Sequence, residues 1–132
     1  MPTVLVVQSE PLISAVLWTL LTRNGFKVVS ETSGPVDAQL ARSIPADAIV
    51  LDVNLPGTNG LEICRRFKED PETSSIPVIF CSGQHYLADE ALELGAAAFL
   101  CAPGEIFKLP ECLREILYTR SNTGVTSVKT ES

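Results

Sequence analysis

"ADAIVLDVNLPGTNGLEICRRFK", residues 46–68, sets a short apolar run, a single acid and a Pro-Gly turn in front of a stretch long enough for a helix. Ala48, Ile49, Val50 and Leu51 follow one another without polar alternation. That pattern marks a strand covered on both faces, and such strands belong to parallel sheets layered by helices. Asp52 ends the run, and the helical segment is expected over residues 60–69. A carboxylate therefore stands at the carboxyl end of a buried strand, the edge where open α/β sheets collect their chemistry.

The same grammar repeats along the chain. Short runs rich in Val, Ile and Leu, expected as strands, lie at residues 3–7, 27–30, 48–51, 77–81 and 97–101. Helix-length segments alternate with them at residues 11–24, 35–43, 60–69, 86–94 and 110–119. The alternation predicts an α/β doubly wound sandwich, a parallel sheet with helices on both faces. Gly25 and Gly95 stand where helix C-terminal caps belong. Pro71 and the "ETSS" after it read as a polar helix-to-strand loop. Residues 1–119 are expected to form one domain, and residues 120–132, "RSNTGVTSVKTES", a disordered polar tail.

Composition narrows the function. A chain of 132 residues, 45% hydrophobic, suits one domain with its own core. A net charge of −6 argues against wrapping a phosphate backbone, so nucleic acid is not an expected direct partner. No basic-then-apolar leader opens the sequence, and no window approaches the roughly 18 apolar residues of a membrane span. A cytoplasmic location without membrane contact is expected. The four cysteines, Cys64, Cys81, Cys101 and Cys112, show no metal-site spacing and read as buried thiols. Cys81 and Cys101 fall at the ends of adjacent strands, where parallel pairing disfavours disulfide geometry. His85, the single histidine, reads as an exposed loop residue. No Gly-rich phosphate cradle follows a strand, which weighs against a small flavodoxin-like enzyme or ligand binder, the remote alternative.

The strand ends, in order, offer Gln8, Ser9 and Glu10, then Asp52 and Asn54, then Ser82 and Gly83, then Ala102 and Pro103. Residues 46–68 resemble the third strand, active loop and third helix of the two-component response-regulator receiver (CheY-like) domain. "IPVIFCSG", residues 76–83, resembles its fourth strand. "GAAAFLCAP", residues 95–103, is similar to its fifth, where the family usually reads "GADDYLTKP". The likeness covers residues 3–118. It implies a flavodoxin-like (βα)5 fold with strand order 2-1-3-4-5, and phosphorelay signal transduction rather than enzymatic activity. It further implies Asp52 as phosphoacceptor and the Asn54 backbone carbonyl as a magnesium ligand. Ser82 becomes the hydroxyl that meets the phosphoryl group, Phe99 the aromatic that moves with it, and Ala102–Pro103 a cis bond. A histidine kinase, a phosphotransfer protein or another signalling protein is the implied partner.

Against that pattern the polar pocket differs at three positions. Gln8 and Ser9 stand where the family carries two acids, and Ala102 where it carries lysine. Glu10 falls at a helix-start position that points away from the pocket. Lys108, in an apparent insertion "GEIFKLP" over residues 104–110, is expected as a solvated charge. Magnesium prefers carboxylate and other oxygen donors, so any Mg2+ at Asp52 and Asn54 is expected to bind weakly. Losing single electrostatic contributors typically costs on the order of 100- to 1000-fold in rate, so phosphorylation at Asp52 is expected to be weak or absent. A working phosphoacceptor with a weak or partner-supplied metal is the alternative. If contact replaces phosphate as input, two surfaces are candidates. Residues 11–22 hold no charge; Ile13, Val16, Leu17 and Leu20 form the inward stripe, leaving Leu12, Ala15 and Trp18 outside. The second surface comprises the fourth helix, fifth strand and fifth helix, where Ala97 and Ala98 replace acids and a homodimer is expected.

Overall fold

Strands form on the apolar runs: β1 (Thr3–Val7), β2 (Lys27–Glu31), β3 (Ala48–Leu51), β4 (Val78–Ser82) and β5 (Ala98–Cys101). All pair in parallel, in the order β2-β1-β3-β4-β5. This computed structural model describes residues 1–31 and 35–121, with side chains as far as Tyr118. Between the strands run α1 (Pro11–Arg23), α2 (Ala38–Ser43), α3 (Gly60–Glu69), α4 (Ala88–Glu93) and α5 (Leu109–Ser121). The flavodoxin-like order read from the resemblance is the order observed.

Two cores explain why the strands are apolar throughout. Leu5, Val7, Ile49, Leu51 and Phe80 face Ile63, Cys64 and Phe67 of α3, Ala91 of α4 and Ala41 of α2. Their neighbours Val4, Val6, Val50, Ile79 and Cys81 face Leu17 and Leu21 of α1 and Leu109 and Leu113 of α5. Alternate residues of one strand thus enter opposite cores. Leu21, absent from the expected α1 stripe, is fully buried, whereas Ile13, Val16 and Leu20 are only partly so.

Both expected glycine caps are present. Gly25 has φ +88° and Gly95 φ +107°. Phe26 N–H reaches back to Leu21 O and Gly25 N–H to Thr22 O; Ala96 and Gly95 repeat this with Ala91 and Leu92. This pair of hydrogen bonds closes a helix through a left-handed residue, a conformation glycine adopts without steric cost.

Other boundaries move for identifiable reasons. α2 begins at Ala38 because the Asp37 carboxylate accepts from Leu40 N–H at 3.0 Å and caps it. A 3₁₀ turn, His85–Leu87, precedes α4 and takes its first expected residues. β4 runs one residue further than expected, through Ser82. α5 continues through Ser121, past the expected domain end at residue 119; the rest of the proposed tail, residues 122–132, lies outside the described residues. Thr73, read as part of a polar loop, is fully buried, its hydroxyl donating to Phe67 O at 2.8 Å. A small hairpin, Asn54–Leu55 with Thr58–Asn59, had no sequence signal beyond its turn residues.

Candidate functional site

Sheet register brings the polar strand ends level. Val7 of β1 pairs with Leu51 of β3, so Gln8 and Asp52 leave the sheet side by side. Asp52 N–H donates to Val7 O at 3.0 Å, which fixes that junction. Asp52 is half-buried, and its Oδ1 accepts from Val53 N–H at 2.7 Å. The start of α3 presses directly against it: Gly60 N–H donates to Val53 O at 2.7 Å, and any Cβ on Gly60 would collide with the Asp52 carbonyl oxygen. Asn59 caps that helix, its Oδ1 accepting from Leu61 N–H at 2.7 Å.

Gln8 and Ser9 are both engaged. Gln8 is 2% exposed, and its Nε2 donates to Cys81 O at 3.1 Å. Ser9 Oγ donates to the backbone carbonyl of Asn54 at 3.1 Å. Glu10 is exposed at the start of α1 and makes no capping hydrogen bond.

On the far side of Asp52, Ser82 is buried and its Oγ accepts from Gln84 N–H at 3.2 Å. Phe99 is half-buried and stacks on Phe80, ring centroids 5.7 Å apart and planes 24° from parallel. Ala102 N–H donates to Ser82 O at 3.0 Å, and the Ala102–Pro103 bond is cis, as is the unanticipated Ile44–Pro45. His85 is exposed.

Lys108 turns elsewhere. It is exposed, with its ammonium 3.3 Å from Glu105 Oε2. Glu105, which the sequence reading passed over, sends Oε1 back to Cys101 N–H at 2.8 Å. That backbone donor, then the Lys108 ammonium, holds the Glu105 carboxyl below the usual carboxylate range. Nothing in "GEIFKLP" marks a carboxylate that would fold back on the strand before it.

The magnesium ion implied by the resemblance meets a donor set that does not fit it. Asp52 is the carboxylate at the junction, Gln8 presents an amide committed to Cys81, and Ser9 points a hydroxyl proton at the Asn54 carbonyl. Among the described residues no three His, Cys, Asp or Glu side chains gather as a metal cluster. A hard dication needs several oxygen ligands, carboxylates above all; here Asp52 supplies the one carboxylate, while an amide and a hydroxyl stand beside it with N–H and O–H engaged on the Cys81 and Asn54 carbonyls.

Elsewhere, Leu12 is 72% and Trp18 51% exposed on α1. Ala97 is exposed, whereas Ala98 packs partly against the α1–α5 core and presents less surface than expected. All four thiols are free. Burial pushes Cys81 up to about 12 and raises Cys64 and Cys112 as well.

Comparison with known proteins agrees with this fold. The family described as "Response regulator receiver domain" matches residues 4–114, and the chain belongs to that family. It is 34% identical to the transcriptional regulatory protein AfsQ1 of Streptomyces coelicolor over 89% of this chain and 52% of that one. Response regulator ArlR of Staphylococcus epidermidis is 30% identical over 97% of this chain and 58% of that one. The chain thus spans about half the length of these curated relatives. A solved structure from Chloroflexus aurantiacus J-10-fl superposes with a TM-score of 0.81 at 28% identity, covering 89% of this chain and 99% of that one. The CheY4 chemotaxis response regulator of Vibrio cholerae shares the fold, with a TM-score of 0.70 at 23% identity over 88% of this chain and 98% of that one. No helix among the described residues is long and apolar enough to cross a membrane.

Proposed function

We propose that this receiver domain acts in two-component signalling through protein contacts, without efficient magnesium-dependent phosphorylation at Asp52. The observation that carries this reading is the hydrogen bond from Ser9 Oγ to the Asn54 carbonyl. It sets a donor at the oxygen that the resemblance would give to a metal.

The chemistry supports the same conclusion. Phosphoryl transfer to a carboxylate is catalysed by positioning and by neutralising charge on the phosphoryl oxygens. Asp52 keeps its position, but the Gln8 amide is committed to Cys81, the Ala102 methyl carries no charge, and the Lys108 ammonium pairs with Glu105. The domain is then a binding module rather than an enzyme, with a cytoplasmic histidine kinase, phosphotransfer protein or other signalling protein as partner. The exposed Leu12 and Trp18 on the uncharged α1 segment form the contact face, and a homodimer through α4, β5 and α5 is the second candidate assembly.

Intact mass after incubation with acetyl phosphate, with and without Mg2+, tests the reading against an Asp52→Asn control. No adduct is expected under either condition. A magnesium-dependent phosphoryl adduct that disappears in the control would overturn the proposal and make Asp52 a working phosphoacceptor.

A further inference from the structure

Two hydrogen bonds leave the end of β1 in different directions. In the sheet, β3 lies between β1 and β4. The Gln8 side chain therefore crosses the end of the strand that carries Asp52 before its Nε2 meets Cys81 O. Adjacent strands lie roughly 4.8 Å apart, so two spacings must be bridged, a span suited to the long side chain of glutamine. Ser9, the next residue, ties the chain leaving Asp52 by bonding Asn54 O. One dipeptide holds the strand beyond Asp52 and the loop after it.

We infer that Gln8 and Ser9 form a neutral clamp that does the positional work of a divalent cation, so that the Asp52 pocket keeps one geometry whether or not Mg2+ is present. This rests on the reading just proposed, that the pocket works without a metal. Gln8 is 2% exposed, and a carboxylate buried there beside Asp52 would set like charges together and leave Cys81 O without its donor. An amide removes both problems at once: it carries no charge, and it donates. The Ser9 hydroxyl likewise turns the positive end of its dipole toward the Asn54 carbonyl, with no ion required. The clamp's donors are side chains and its acceptors backbone carbonyls, and the backbone junction at Asp52 and Gly60 keeps its own hydrogen bonds independently.

Amide hydrogen exchange across residues 53–58, measured with and without Mg2+, tests the clamp on the whole chain. In the native protein, exchange is expected to be the same in both conditions. Ser9→Ala is expected to speed it about fivefold, the factor that one net hydrogen bond represents, and Ser9→Thr to restore it. In Gln8→Asp/Ser9→Asp, exchange is expected to be fast without Mg2+ and slowed by it. Should that double variant not fold, the Ser9→Ala and Ser9→Thr pair still decides. Mg2+ slowing exchange in the native protein, or Ser9→Ala leaving it unchanged, overturns the clamp. A phosphoryl adduct in the native protein overturns the functional reading instead; unchanged exchange in Ser9→Ala with no adduct removes the clamp alone.

Discussion

The ends of β3 and β1 lie side by side, and they hold the same pocket by different means. At β3 the geometry is set by backbone: Asp52 N–H on Val7 O, Gly60 N–H on Val53 O, and a helix start so close that only glycine fits. At β1 it is set by side chains, Gln8 to Cys81 and Ser9 to Asn54. A backbone contact tolerates no change of residue where a Cβ would collide. A side-chain contact can change its residue type while the fold persists, because only the donor is at stake.

The sharpest way to break that comparison is at glycine. Gly60→Ala is expected to destabilise the protein by about 3 kcal/mol or more, since its Cβ must displace the Asp52 backbone rather than a flexible side chain. Gly57→Ala, at φ +72° with nothing within 4 Å of the added carbon, is expected to cost about 1–2 kcal/mol from the left-handed backbone alone. Urea denaturation of the two variants measures both. Equal losses would mean that the β3 junction is not held by close backbone approach.

Legibility in the sequence follows the same division. The five apolar runs, the glycine caps and the Asp52 strand end were readable because local pattern dictates them, through burial on both faces and left-handed φ. Strand order came from the family resemblance, since periodicity does not say which strands are neighbours. What stayed hidden were bonds between distant residues. Gln8 and Cys81 are 73 residues apart and Ser9 and Asn54 45; the sequence shows an amide and a hydroxyl at the end of β1 and is silent on what they contact. The burial of Thr73 in its turn carries no signal for a related reason, because its polar neighbours disguise a hydroxyl that turns inward to Phe67 O. Leu21 escaped the α1 stripe because residues 11–22 contain no charge to mark the outer face.

A smaller effect sharpens the β1 side. The Gln8 clamp ends on Cys81, whose thiol is pushed from 9.0 up to about 12 by burial. The unfolded chain then releases this proton near pH 9.0 and the folded chain near 12. Between those values the folded state binds more protons, so stability falls as pH rises, by up to about 1.4 kcal/mol per pH unit for this group. Comparing the native protein with Cys81→Val by urea denaturation at pH 8 and pH 10 isolates it from the other thiols, and the native protein is expected to lose more on going to about pH 10. Equal losses would mean that the Cys81 thiol is not held dry in the α1–α5 core.

The smallest expected effect lies at the end of β5, next to Ala102. Glu105 Oε1 accepts from Cys101 N–H, so the Cys101 amide proton reports the state of that carboxylate in an NMR pH titration. Its midpoint is expected below the ordinary 4.5, because the backbone donor and Lys108 both favour the charged form. The sign follows: the contribution of Glu105 to stability is present above its unfolded pKa and is lost as pH falls through the lower folded value. Lys108→Ala is expected to raise the midpoint slightly, since one of the two favouring groups is gone. An unmoved midpoint would mean that the ammonium is not held at Glu105 and that the Cys101 N–H alone lowers the carboxyl.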